Sequence, residues 1–157
     1  MKDFRVLVTL ASRIIHDCQV CLNKALSEIG LGSAEANVLM FLFDGGDGCR
    51  QEDIVAATEV SKPAISRTVA SLEAKGYVVR EEHPGDRRSR IVKLTEKAKA
   101  TREVIEQRYW DVISAATRDI PEAKVQEFMA LFSQVAGNVA AYREEMVRSK
   151  KSPDGGG

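Results

Sequence analysis

Apolar residues recur at alternating spacings of three and four near the start of the chain: Phe4, Leu7, Ala11, Ile14, Cys18, Cys21 and Ala25. Val8, Ile15, Leu22 and Ile29 widen the stripe. This period predicts one long amphipathic helix over residues 4–29, ended by Gly30 and Gly32. Ser33 is placed to cap a second helix, about 34–43, which stops in the turn-forming run Asp44–Gly48. A short third helix is expected over Gln51–Thr58. A fourth starts behind Ser61 as its cap, with Pro63 in the first turn, and Gly76 closes it. Ile65, Val69 and Leu72 form its inward stripe. Tyr77–Glu82 and Arg88–Leu94 then read as strands around a turn, His83-Pro84-Gly85-Asp86. Thr95 can cap a fifth helix towards Thr117, and Pro121 opens a sixth over about 122–148. In the sixth, Val125, Phe128, Phe132, Val135, Val139, Tyr142 and Met146 again alternate three and four.

The pattern predicts a mainly α protein with a small β-hairpin. Residues 1–32 hold the first long helix, 33–100 a compact helix–helix–hairpin domain, 101–148 the last two helices, and 149–157 a disordered tail. Seven apolar positions on a terminal helix exceed what one short partner helix covers. The seams are therefore closed either within a bundle or, on the sharper reading, between two copies of the chain as dimerisation helices.

With 157 residues and 44% hydrophobic content, the chain has enough apolar surface for a core. Apolar runs such as Val38–Phe43 are too short to span a bilayer, and the N-terminus lacks a signal-peptide layout, so a cytoplasmic location and no membrane partner are expected. The net charge of zero hides an asymmetry: residues 61–100 carry +5 and the remainder −5. A pI of about 6.7 is not that of a basic domain. Any case for a polyanionic partner must therefore rest on where the cations stand.

Their placement is informative. Gln51–Thr58 and Ser61–Lys75, joined by Thr58-Glu59-Val60, have the spacing of a helix-turn-helix. With Ile65, Val69 and Leu72 turned inward, Pro63, Arg67, Ala70 and Ser71 face the other way, and Lys62, Ala64 and Ser66 flank them. This face is low enough to approach base edges in a major groove. Arg67 has the fork that matches guanine O6 and N7, Ser66 and Ser71 can bond bases or phosphate, and Lys62 suits a phosphate. The recognition-helix set is Ser61, Lys62, Pro63, Ser66, Arg67 and Ser71. The hairpin tip adds Arg87, Arg88 and Arg90, cations favoured in a narrow minor groove, with Asp86 placed to pair with one of them. A loop that only turns has no need of three mutually repelling cations.

The segments SKPAISRTVASLEAKGYV and DRRSRIVKLTEKAK resemble the MarR family of winged helix-turn-helix regulators. That family's wing has an Asp-x-Arg followed by Leu-Thr and a long helix, matched here by Asp86, Arg88, Leu94 and Thr95. The similarity extends over about residues 5–146 in helix order. It implies a winged helix-turn-helix flanked by N- and C-terminal dimerisation helices. It further implies a cytoplasmic homodimer on a pseudo-palindromic double-stranded DNA operator, usually a repressor released by a small-molecule effector or by oxidation. One departure is Arg50, which stands where many relatives have a Thr or Ser capping the first helix of the motif. The resemblance also implies an effector crevice between the dimer helices and the DNA-binding lobe, for which Arg13, His16, Met40, Phe41, Tyr109 and Trp110 are candidate lining residues.

The remaining chemistry is sparse. Cys18 and Cys21 lie three apart on the first helix, within the geometric range of a disulfide, which leaves a thiol-based redox regulator as an alternative. Their place on the apolar seam favours packing instead, and the reactive cysteine of peroxide-sensing relatives, near the start of the first helix, has no counterpart here. Cys49 reads as filler beside a turn. His16 points across the helix from both cysteines, so no metal is expected, nor any other cofactor. There is no phosphate-cradling glycine loop and no nucleophile elbow, which argues against an enzyme. A winged helix that binds protein is the other alternative, and the arginine-rich hairpin speaks against it.

Overall fold

The computed structural model describes residues 4–46, 48–83 and 85–150. They form six α-helices and a small sheet: α1 Phe4–Leu26, α2 Ser33–Asp44, β1 Cys49–Arg50, α3 Gln51–Thr58, α4 Lys62–Ala74, β2 Val78–His83, β3 Asp86–Leu94, α5 Glu96–Ala116 and α6 Glu122–Lys150. A single 3-10 turn, Ser27–Ile29, extends α1. The chain divides into two compact units, Met1–Ser114 and Ala115–Gly157.

The first unit holds one core. Leu22 and Leu26 of α1, Val38, Leu39 and Leu42 of α2, Ile54 of α3, and Ile65, Val69 and Leu72 of α4 are buried together with Leu31 between α1 and α2 and with Tyr77, Val78, Val92, Ala98 and Ile105. The inward stripe expected for the fourth helix is the buried stripe of α4. Two helix ends use the same device. Gly30 (φ 70°) and Gly76 (φ 75°) adopt the left-handed conformation that glycine occupies at little cost. After each, the next amide reaches back over the turn, Leu31 N–H to Leu26 O at 3.1 Å and Tyr77 N–H to Leu72 O at 2.9 Å. In both cases the two residues so joined are buried, the apolar contact that accompanies this type of helix stop.

Several boundaries differ from expectation for local reasons. Ser33 is the first residue of α2 rather than its cap; Gly32 takes the cap position, and its N–H donates to Glu35 Oε2 at 2.9 Å. The Ser33 N–H instead donates to Asn23 Oδ1 of α1 at 2.7 Å. Ser61 does cap α4, accepting from Ala64 N–H at 3.4 Å, and Thr95 caps α5, accepting from Ala98 N–H at 3.3 Å. The hairpin strands run one residue further and two residues earlier than expected, because His83 pairs with Asp86 across a bulge. Pro84 lies outside the described residues. Strand β1 has no counterpart in the sequence reading: Cys49 and Arg50 pair with Val92 and Ile91, giving the order β1-β3-β2. Helix α6 reaches Lys150, two residues into the expected tail, and residues 151–157 lie outside the described part.

The terminal helices carry apolar side chains that their own unit leaves bare. On α1, Leu7, Leu10, Ile14 and Ile15 are about half exposed, and on α6 so are Phe128, Phe132, Val135, Val139 and Tyr142. Phe128 and Phe132 stack on each other, with ring centroids 5.5 Å apart. Cys21, expected in the seam, is exposed, and Cys18 is half-buried.

Candidate nucleic-acid interface

Helices α3 and α4 enclose a short connection whose Glu59 takes a left-handed conformation at φ 54°. A non-glycine residue there signals a turn set by its surroundings. Beyond it, Ser61, Lys62, Pro63, Ser66, Arg67 and Ala70 are all exposed along one side of α4. Arg67 makes no ion pair with any described residue. Lys62 stands 3.9 Å from Glu52 of α3, but both side chains are largely exposed, so the pair holds Lys62 only loosely.

Ser71 is the exception among the expected recognition residues. Its hydroxyl donates to Glu35 Oε1 of α2 at 2.7 Å, and the residue is half-buried. It belongs to the packing between α2 and α4 rather than to the outward face. Ser71 directly precedes Leu72, about 100° from it around the helix, which places it at the edge of the inward face.

The hairpin is fixed to the far end of α4. Arg80 of β2 grips Glu73 through both Nε and Nη2. That bond from Arg80 lowers the Glu73 carboxyl from its usual value, against the opposing effect of burial, and the charges of Arg80 and Arg90 add to the lowering. Thr95 donates to Gly76 O at 2.7 Å, and its own N–H donates to Tyr77 O at 3.0 Å. The register pairs Glu82 with Arg90 and Arg80 with Val92. Arg90 therefore shares a sheet face with buried Val92 and lines a shallow cleft with Arg80, Gln51 and Glu52, at the start of α3. It faces the helices, not the outer side of the hairpin. The backbone of Asp86, Arg87 and Arg88 opens β3, while their side chains lie outside what the structure describes.

Arg50 is the residue before α3, as the sequence placed it. Its N–H donates to Asp53 Oδ2 at 3.0 Å, so α3 is capped from its own first turn and not by the Arg50 side chain. Cys49 beside it packs against the core. Burial, with Asp53 nearby, pushes its thiol up to about 11, which leaves it protonated and inert at neutral pH.

Of the six candidate effector residues, Arg13 and His16 lie on α1, Met40 and Phe41 on α2, and Tyr109 and Trp110 on α5. The groove along α1 is lined by Arg5, Val6, Thr9, Leu10 and Arg13, of which only Arg13 was expected. His16 is exposed, and Trp110 is 64% exposed. Met40, Phe41 and Tyr109 pack on the core edge, and the Tyr109 hydroxyl bonds Asn37 Oδ1, joining α5 to α2. Burial raises the Tyr109 phenol to about 12. The described residues contain no cluster of His, Cys, Asp and Glu that holds a metal ion.

Sequence reasoning missed Glu35 and Lys75, which join α2 to the end of α4. Lys75 Nζ lies 2.7 Å from Glu35 Oε1 and donates to Gly30 O at 2.8 Å. A signal was present: Glu35 is in step with Val38, Leu39 and Leu42, a carboxylate on a buried stripe.

Residues 29–89 match the sequence model of the MarR family. A MarR-family transcriptional regulator from Rhodococcus sp. RHA1 is 25% identical, with a TM-score of 0.77 over 84% of this chain and 93% of that one. CouR from Rhodococcus jostii RHA1, solved with p-coumaroyl-CoA bound, is 24% identical with a TM-score of 0.74 over 83% of this chain and 91% of that one. A MarR variant from E. coli, complexed with operator DNA, is 24% identical with a TM-score of 0.73 over 82% and 92%. No curated protein sequence matches the chain significantly.

Proposed function

We propose that the chain, whose residues 29–89 match the MarR family model, is a transcriptional regulator of that kind and reads double-stranded DNA as a homodimer on a pseudo-palindromic operator. The observation that carries this is the exposed face of α4, where Ser66 and Arg67 stand clear with Lys62 at the helix start. In this reading α4 enters the major groove, Ser61, Lys62 and Pro63 meet the backbone at its N-terminal end, and Ser66 and Arg67 contact base edges. The hairpin follows α4 directly, and its Arg87 and Arg88 engage the neighbouring minor groove, with Asp86 restraining the tip. Arg90 meets the backbone from the helix side.

The bare apolar faces of α1 and α6 support the homodimer, since a second copy supplies matching surface for both. Two modules then bind half-sites about one helical turn apart. Repression in the cytoplasm, relieved by a small-molecule effector, completes the proposal. Support for the effector comes from the related CouR, which binds p-coumaroyl-CoA.

Selection of duplexes from a random-sequence pool tests the reading. A two-fold-symmetric motif should emerge, bound in a complex of two chains, with affinity falling steeply as salt rises. Recovery of no motif, or equal affinity for selected and scrambled duplexes, refutes it.

A further inference from the structure

Among the described residues, Glu35 is the one buried charged side chain. Its carboxylate takes donors from three places. The Gly32 N–H donates to Oε2 at 2.9 Å, the Ser71 hydroxyl to Oε1 at 2.7 Å, and Lys75 Nζ to both oxygens at 2.7 and 2.8 Å. Lys75 spends a further donor on Gly30 O at 2.8 Å, and the Tyr77 hydroxyl donates to Ile29 O at 3.3 Å. All these acceptors belong to the corner between α1 and α2, and all the side-chain donors come from α4 or the residues that end it.

An apolar residue at position 35 could offer α4 only non-directional contacts, and packing alone leaves a helix free to roll and slide by small amounts. Directional bonds at Ser71 and Lys75 remove that freedom. Arg67 stands one turn before Ser71 on α4, so the rotation that Ser71 fixes is the rotation that aims Arg67. The corner is also where the chain bends, with Gly30 at φ 70°. Burial alone would raise the Glu35 carboxyl. The bonds from Lys75, Ser71 and Gly32 and the Lys75 charge outweigh burial and hold it below the usual value, so Glu35 stays ionised.

We infer that Glu35 is a positioning residue for DNA reading: through Ser71 and Lys75 it sets α4 against the α1–α2 corner, so that a shift of α1 changes how Arg67 is presented. This rests on the DNA-binding reading above. It makes the corner the relay between the α1 helix and the base-reading face.

The test compares binding of a duplex selected by the wild-type protein with binding of its scrambled counterpart. Glu35→Gln keeps shape and the α2 cap but loses the charge, and Lys75→Met loses the bonds to Glu35. Both should lower the selected-to-scrambled affinity ratio by about 2- to 30-fold. Lys75→Arg should restore it, and Ser71→Ala, the mildest change, should lower it in the same direction. Ile105→Val, in the core of α5, controls for lost stability and should leave the ratio unchanged. A wild-type ratio in Glu35→Gln and Lys75→Met, with only the melting temperature lowered, overturns the inference.

If the wild-type protein itself does not discriminate, the DNA-binding reading has failed, and hydrogen exchange then decides the coupling. In Glu35→Gln, amides at 30–33 and 71–77 should exchange faster together, with α5 unchanged. Faster exchange at only one of these segments, or at neither, also overturns it.

Discussion

Helices α4 and α6 carry the same alternation of apolar positions and meet opposite fates. On α4, Ile65, Val69 and Leu72 are at most 2% exposed, whereas on α6 Phe128, Phe132, Val135 and Val139 are 45–62% exposed. Periodicity states which face of a helix is apolar. It does not state who covers that face, because cover depends on what the rest of the chain brings nearby. Around α4 the first unit supplies α2, α3 and the sheet. The α1 helix combines both cases: Leu22 and Leu26 reach the core, while Leu7 and Ile14 remain about half exposed.

The contrast can be broken most directly on α6. If the proposed homodimer forms through α6, Phe132→Asp should leave the protein monomeric by sedimentation at concentrations where the wild type sediments as a dimer, and DNA binding should fall with it. A dimer unaffected by this change would place the interface elsewhere. Leu72→Ala should act in the other way, lowering unfolding stability by about 2–5 kcal/mol in denaturant titrations, because it opens a cavity in a core that cannot fully close. Arg67→Ala should leave stability and dimerisation unchanged while weakening binding to a selected duplex by about 1–3 kcal/mol, with the preference relaxed at one base step. Equal loss on every sequence would make Arg67 a phosphate contact instead.

The smallest effect concerns acid. The Glu35 carboxyl is held below its ordinary value of 4.5. Its stabilising bonds are therefore fully present above that value and are lost as pH falls through the lower folded value. Melting temperatures measured across the acid range should drop more steeply for the wild type than for Glu35→Gln. Parallel curves would mean that Glu35 is not the group titrating.

Much of the fold could be read along the chain because its signals are local. Ser61, Thr95, Gly30 and Gly76 mark helix ends through bonds and backbone angles spanning only a few residues. The outward set on α4 follows from one helix's period, and all of it except Ser71 is exposed. Ser71 was misplaced because its partner, Glu35, lies 36 positions away. The two-residue β1 was missed for a similar reason: Cys49 and Arg50 have no strand pattern of their own and become a strand only by pairing with β3. Arg90 belongs to the arginine cluster in sequence, yet the alternation of β3 turns it towards α3.

By itself, the sequence determined which segments are helices, where they stop, and that a small-faced helix is followed by a basic hairpin, since backbone propensity and capping act within a turn or two. The tertiary structure decided which polar side chains on that helix remain available. Ser71 and Lys75 are drawn to a buried carboxylate on α2, while Ser66 and Arg67 stay outside. That sorting depends on contacts between segments some forty residues apart, and a charge taken out of water must find its partners wherever the fold brings them.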